Sequence, residues 1–413
     1  MVGRFLLAYA FYYPLSMAWV WIFGALTYYL RRERNARTRD LPPDLPSWPK
    51  ATLVVPCHNE GDNVRETLEY LAGQIYPNFE IIAVNDGSKD NTGDILNELT
   101  AVYPQLRVIH FPKNQGKAMG LSMAALASNS EYLICIDGDA LLDPYATHWL
   151  MWHLLSGERV GAVTGNPRIR NRSSLLGRLQ VGEFSSIIGL IKRAQRTSGR
   201  IFTVSGVIAG FRRTALHQVG FWSKDMMTED IDVSWRLQMN HWDVRYEPNA
   251  LCWILMPETI RGLWKQRLRW AQGGAEVSKR YFKSLLTWRR RRMWPVIFEY
   301  LLSVFWSYDM LGILVLSFLG TVVPLPPWLY VAGPIPTWFG AILGTTCIVQ
   351  FLFSILIDRR YEDRIGRQFI WIIWYPLVYW ILGMLTTVVG VPKALFKRTG
   401  TRAVWDSPDR GIR

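Results

Sequence analysis

From residue 50 to residue 295, short apolar runs alternate with longer amphipathic stretches. The runs "ATLVVPC" (51–57), "FEIIAVND" (79–86), "LRVIHF" (106–111), "YLICID" (132–137) and "VGAVTG" (160–165) have the length and apolar density of buried strands. Between the first two, Val64, Leu68 and Leu71 recur at i, i+4 and i+7 behind Asn63, which predicts a helix with Asn63 as its cap. Strand, helix, strand at this spacing predicts an α/β fold with a mainly parallel sheet flanked by helices on both faces. Such sheets bind ligands at the C-terminal ends of their strands. Here those ends carry His58, Asn59 and Glu60, then Asp86, then Asp137 and Asp139.

Outside that block the pattern changes. Residues 5–30 contain no charge, a stretch longer than the roughly 20 residues that cross a bilayer. A signal peptide would be shorter, with basic residues in front and a small-residue cleavage site. The arginines mostly follow the segment, which predicts an uncleaved anchor with residue 31 onward in the cytoplasm. Further apolar segments lie near 300–323, 337–357 and 369–391. The expected organisation is an N-terminal helix and Pro-rich linker (1–49), a cytoplasmic catalytic-type domain (50–295), membrane helices (296–392) and a basic tail (393–413). The basic loop 358–367 belongs in the cytoplasm by the same rule, and the uncharged loop 324–336 outside. Three crossings would then put the basic tail outside. Either one segment is re-entrant or interfacial, or the charge rule fails there.

Composition narrows the class. The chain is 50% hydrophobic and carries a formal charge of +14, much of it in "RRERNARTR" (31–39), "RRRR" (289–292) and "KALFKR" (393–398). Basic residues that flank apolar segments favour anionic lipid headgroups over nucleic acid as partner. The four cysteines show neither CxxC nor zinc spacing, so buried thiols in a reducing compartment are expected, without disulfides.

The acids at the strand ends carry the chemistry. In "ICIDGDALLD" (134–143), Asp137 and Asp139 flank a glycine. In extended backbone, residues i and i+2 point the same way, and Gly138 lets the chain turn close to a ligand. Two hard carboxylates on a partly open site suit Mg²⁺ or Mn²⁺ with a bound phosphate; the plain alternative is a polar turn. Asp86 again precedes a glycine at a strand end, and Lys117 in "KNQGKA" has the charge to meet phosphate. In "MMTEDIDVSWRLQ" (226–238), Glu229 and Asp230 open an amphipathic helix. They complement a helix dipole, or Asp230 serves as a general base. Finally "LWKQRLRWAQGG" (263–274) joins Gln266, Arg269 and Trp270, suited to phosphate oxygens and to a sugar face, or to a solvated basic surface.

In order, "VVPCHNE" (54–60), "VNDG" (84–87), "DGD" (137–139), "TED" (228–230) and "QRLRW" (266–270) resemble the processive, membrane-embedded family 2 glycosyltransferases. "GAVTGNPRIR", "SSIIGLIKR", "FTVSGVIAGFRR", "ALCWILMPET" and the tail "SPDRGI" are similar to the poly-β-1,6-N-acetyl-D-glucosamine synthases of bacterial biofilms, of the PgaC/HmsR/IcaA type. Enterobacterial members carry a further apolar segment before the first one here.

The resemblance implies a GT-A-like fold embedded in a helical transmembrane region of the bacterial inner membrane, with the catalytic domain cytoplasmic. It implies polymerisation of N-acetylglucosamine from UDP-GlcNAc into a growing polysaccharide exported for biofilm matrix. Asp86 would contact uracil, with Glu60 and Lys117 helping to hold the nucleotide. Asp137 and Asp139 would hold Mg²⁺ or Mn²⁺ with the diphosphate. Asp230 would be the general base, and Gln266, Arg269 and Trp270 would hold the leaving diphosphate and the acceptor end. Ser205, Gly206 and Glu229 would line the acceptor site. It also implies a small two-span subunit (PgaD type) and cyclic di-GMP as activator, with the Arg-rich segments 31–39 and 289–292 as candidates to meet that anion. Nucleic acid is not an expected partner. Cellulose-, chitin- and hyaluronan-type synthesis, or a catalytically silent scaffold, are the rival readings.

Overall fold

The computed structural model describes residues 2–331, 338–372, 374–398 and 400–402. The "SPDRGI" stretch and part of the 324–336 loop lie outside the described residues. The sheet strands are β1 (Ala51–Cys57), β2 (Phe79–Asp86), β3 (Leu106–Phe111), β4 (Tyr132–Ile136), β5 (Leu141–Leu142), β6 (Val160–Ile169), β7 (Ile208–Arg212) and β8 (Asp243–Ile254). They form one sheet in the order β3-β2-β1-β4-β7-β6-β8-β5.

Four of the five strands read from the sequence form a wholly parallel half, in which β1 pairs β2 and β4, and β2 pairs β3; the fifth, 160–165, falls in β6. Each crossover is a helix, Val64–Ala72, Thr92–Val102 or Lys117–Ala127. Burial on both faces explains the unbroken apolar runs. Leu53, Val55, Ile81 and Ala83 point into one core, and Val54, Ile82, Val84 and Leu133 into the other. Asn63 precedes the first crossover helix as expected, but its side chain accepts no capping hydrogen bond.

Beyond β4 the sheet turns mixed, with β7 antiparallel to β4 and β6, and β5 antiparallel to β8. Strand β8 runs parallel to β6, with register shifts flanking Gly161 and Gly165. It contains Pro248 and Asn249, residues that interrupt a strand pattern, and was not among the strands read from the sequence.

Among the described residues, four helices are long and apolar enough to cross a membrane: Val2–Glu33, Trp288–Val322, Trp338–Asp358 and Val378–Phe396. They are fused to the sheet domain. Phe351, Ile355, Ile372, Tyr375 and Tyr379 share a core with the sheet residues. A buried ionic cluster ties the same elements together. Arg193 meets Glu33 at 2.7 Å and Asp358 at 3.0 Å, while Arg168 on β6 meets Asp358 at 2.8 Å. Glu33 and Asp358 thus sit inside segments that read as basic flanks. Arg360 donates to the carbonyls of Glu33, Arg34, Ala36 and Arg37, so 33–37 and 358–361 lie together. Lys397 meets Glu276 at 2.9 Å and donates to the Asp225 carbonyl, which returns the end of the last apolar segment to the sheet domain.

Candidate active site

The C-terminal edge of the parallel half is built from the tips of β1, β2 and β4. Asp86 ends β2 and is fully buried. Its Oδ1 and Oδ2 accept the backbone N–H groups of Gln115, at 2.5 Å, and Gly116, at 2.7 Å. The carboxylate therefore holds the loop that leads into the helix Lys117–Ala127. Gly87 has φ +61°, and a Cβ there would run into the backbone of Lys113 and Asn114, so only glycine lets that loop cross. His58, after β1, bonds the Asp86 carbonyl through Nδ1 at 2.8 Å and Asn114 through Nε2 at 3.0 Å. A carbonyl only accepts, so Nδ1 carries the hydrogen. Glu60 is buried in the same turn, where its N–H donates to Thr92 Oγ1 at 2.7 Å.

Strand β4 stops at Ile136, and Asp137 and Asp139 lie in the turn that follows. The Ala140 N–H closes that turn onto the Asp137 carbonyl at 3.2 Å. Asp137 and Asp139 thus share a turn, and not the extended i, i+2 backbone read from the sequence. Asp143, third acid of the stretch, faces the N-terminal linker instead, 3.8 Å from Arg39.

Lys117 joins the two sides of the cleft. Its Nζ lies 2.5 Å from Asp137 Oδ1, 3.5 Å from Glu229 Oε1 and 3.0 Å from the Gly206 carbonyl it donates to. Burial works to lower its proton affinity, but Asp137, Glu229 and Asp230 outweigh that and hold it above the ordinary lysine value.

On the far side, Glu229 and Asp230 occupy the first turn of the helix Glu229–Met239. Asp230 rests against the loop before β7: a Cβ placed on Gly206 would stand 3.2 Å from Asp230 Oδ2. Burial first, then the charge of Glu229, push the Asp230 carboxyl up to about 6, against Lys117, the Ile231 N–H and Arg269. Ser205 precedes Gly206 and donates its N–H to Thr164 Oγ1 at 2.7 Å.

The helix Ile260–Leu285 carries Gln266, Arg269 and Trp270. Arg269 reaches Asp230 through its charge. Gln266 Oε1 is buried without a hydrogen-bond partner among the described residues. One face of Trp270 is covered by Arg267, whose guanidinium carbon stands 4.1 Å from the ring centre. Arg267 itself pairs with buried Glu183 at 2.6 Å and is part of the fold.

The donor set fits a hard divalent cation at Asp137 and Asp139: two carboxylates share one turn, and a cationic amine already occupies Asp137. Among the described residues, no three His, Cys, Asp or Glu side chains gather to hold a metal by themselves. A cation there would take its remaining ligands from water and phosphate, the habit of Mg²⁺.

Two polar residues in this region escaped the sequence reading. Thr164 on β6 and Lys192 in the helix Ile191–Ser198 are both buried, and Lys192 Nζ donates to Thr164 Oγ1 at 3.1 Å. Their only signal was a threonine within an apolar strand and a lysine closing "SSIIGLIK".

Comparison with known proteins places these residues in context. The family profile described as "Glycosyltransferase like family 2" matches residues 49–273. A poly-β-1,6-N-acetyl-D-glucosamine synthase of Staphylococcus epidermidis is 39% identical over 403 residues, 97% of each chain. The synthase of the same name from Staphylococcus aureus strain MSSA476 is 37% identical over 401 residues, again 97% of each chain. The solved mannosyltransferase PcManGT of Pyrobaculum calidifontis, in complex with GDP-Man and Mn²⁺, superposes with a TM-score of 0.64 at 19% identity. That match covers 95% of this chain and 99% of the other, and at such identity it speaks for the fold alone.

Proposed function

The chain belongs to glycosyltransferase family 2, and from that premise we propose that it polymerises N-acetylglucosamine from UDP-GlcNAc into poly-β-1,6-N-acetyl-D-glucosamine. One observation supports the reading: Lys117 bridges Asp137 on one wall and Glu229 with Gly206 on the other, so the 137–139 and 228–230 motifs face one cleft.

The nucleotide binds along the tips of β1, β2 and β4. Asp86 acts on the base through the 113–116 loop it holds, since both of its oxygens are engaged by backbone amides. Glu60 closes the same wall, and Lys117 meets the phosphates. Asp137 and Asp139 hold Mg²⁺ or Mn²⁺, which when bound neutralises the diphosphate and eases its departure. Arg269, with Gln266 beside it, adds fixed positive charge and hydrogen bonding at the leaving group. Asp230 takes the proton from the acceptor 6-hydroxyl, and attack on the face opposite the α-linked UDP leaves a β linkage. Ser205, Gly206, Glu229 and Trp270 line the acceptor end. The product stays bound between additions and leaves along the aromatic helix bundle.

The proposal extends to topology. The sheet domain faces the cytoplasm, and the first three apolar helices cross the bacterial inner membrane. The segment near 369–391 is re-entrant or interfacial, since the chain meets the sheet domain both at Asp358 and at Lys397. That keeps 393–398 on the cytoplasmic side with the other basic flanks, in line with the charge rule. The resemblance adds export for biofilm matrix, a small two-span subunit and cyclic di-GMP as activator.

The test is product analysis. Membranes bearing the full chain, with the two-span subunit and cyclic di-GMP supplied, receive UDP-GlcNAc. We expect a polymer that a β-1,6-specific N-acetylglucosaminidase digests. A polymer that resists that enzyme overturns the linkage, and release of neither UDP nor polymer overturns the reaction.

A further inference from the structure

The loop Thr203–Gly206 forms the wall against which Asp230 rests, and it hangs from two hydroxyls. The Val204 N–H donates to Ser234 Oγ at 2.8 Å, and Ser234 lies on the Asp230 helix. The Ser205 N–H donates to Thr164 Oγ1 at 2.7 Å. Thr164 Oγ1 also receives Lys192 Nζ at 3.1 Å, so both of its lone pairs are in use. Thr164 is fully buried and Lys192 is 6% exposed. A buried ammonium with a single hydrogen bond among the described residues is costly, and a core built only for stability would place an apolar side chain there.

Two lysines therefore approach one short loop from different sides: Lys117 holds the Gly206 carbonyl, and Lys192 holds the oxygen that anchors the Ser205 N–H. Lys192 also lies within electrostatic reach of Asp230, whose charge works to keep it protonated, while burial brings its amine down to about 7. The charged groups around Asp230 are Glu229, Lys117, Arg269 and Lys192; the group facing Lys192 is Asp230.

We propose that Lys192 is a positioning residue for the acceptor end of the site: through Thr164 it fixes the Ser205–Gly206 loop against which Asp230 rests. The inference rests on the reading of Asp230 as the general base. Lys192 touches neither donor nor metal ligands in this scheme, so its loss acts on turnover and not on donor binding.

The experiment compares wild type with Lys192→Met, Thr164→Val and Asp230→Asn as full chains in membranes with UDP-GlcNAc, the two-span subunit and cyclic di-GMP supplied. It reads kcat, donor KM and the pH dependence of polymer formation. For Lys192→Met we expect kcat to fall about 10- to 100-fold with donor KM within about twofold, in the range of positioning effects. The acid limb of the pH profile should move upward by roughly half a unit, because a cation near Asp230 is gone. Thr164→Val keeps the shape of Thr164 without its oxygen; it should lower kcat in the same direction with the limb in place. If Lys192→Met fails to fold, Thr164→Val alone decides, and unchanged kcat there overturns the inference. Wild-type kcat and an unmoved limb in Lys192→Met overturn it too, as does a parallel loss of kcat and donor affinity. Polymer formation undiminished in Asp230→Asn instead overturns the base assignment, which separates the two failures.

Discussion

Asp230 shows how one carboxylate is set apart from its neighbours. Burial and the adjacent Glu229 push it up to about 6, against Lys117 and Arg269. A general base works only when ionised, so activity should fall as pH drops through about 6, not near the ordinary carboxylate value of about 4. Glu229→Gln removes a negative charge that raises Asp230, so the acid limb of the rate profile should move to lower pH; a limb that stays put would assign it to another group. Asp86→Asn tests the opposite wall. An amide cannot accept from both Gln115 and Gly116 on equivalent oxygens, and one of these buried N–H groups would face an NH₂. We expect donor KM to rise by about tenfold, the equivalent of about 1.4 kcal/mol, with little change in the pH limb. The acids of this site were legible in the sequence because each sits beside a glycine or opens a helix. Thr164 and Lys192 were not, because a single buried polar side chain gains meaning only from what folding places opposite it.

At the scale of elements, the cleft depends on the helix Ile260–Leu285 lying close to the turn that carries Asp230. Gly273 makes that approach: a Cβ there would collide with the Thr228 side chain. Gly273→Ala should displace the turn and lower kcat more than it raises donor KM. Thr228→Ala in the same chain should restore part of the rate, and a double variant no better than the single one would show that the contact is not the cause. Strands β1 to β4 could be read from the pattern, since a parallel sheet buried on both faces leaves continuous apolar runs. Strand β8 could not, because Pro248 and Asn249 interrupt it near a register shift against β6. The turn after β4, which carries Asp137 and Asp139, was likewise not legible. A strand's alternation says nothing about geometry beyond its last residue.

For the whole molecule, membrane-type helices and the sheet domain share one core and one buried ionic cluster. Asp358 answers both Arg168 and Arg193, and all three are buried. Asp358→Asn would leave the buried Arg168 guanidinium without its ion-pair partner while Arg193 keeps Glu33, with a cost of about 3–5 kcal/mol. Thermal unfolding in detergent should show the sheet domain and helices losing stability together; a wild-type transition would mean the cluster does not couple them. The charge pattern could not foretell this coupling, because Glu33 and Asp358 lie in segments that look basic.

Transfer of sugar to an acceptor, with Asp230 as base, is the central claim. Its most direct measurement is polymer formation from radiolabelled UDP-GlcNAc by wild type and Asp230→Asn in parallel, with UDP binding measured on both. We expect Asp230→Asn to bind UDP like wild type and to lose polymer formation by roughly 10²- to 10⁴-fold, the range of general-base catalysis. Equal polymer yield from the two proteins would contradict the assignment of Asp230.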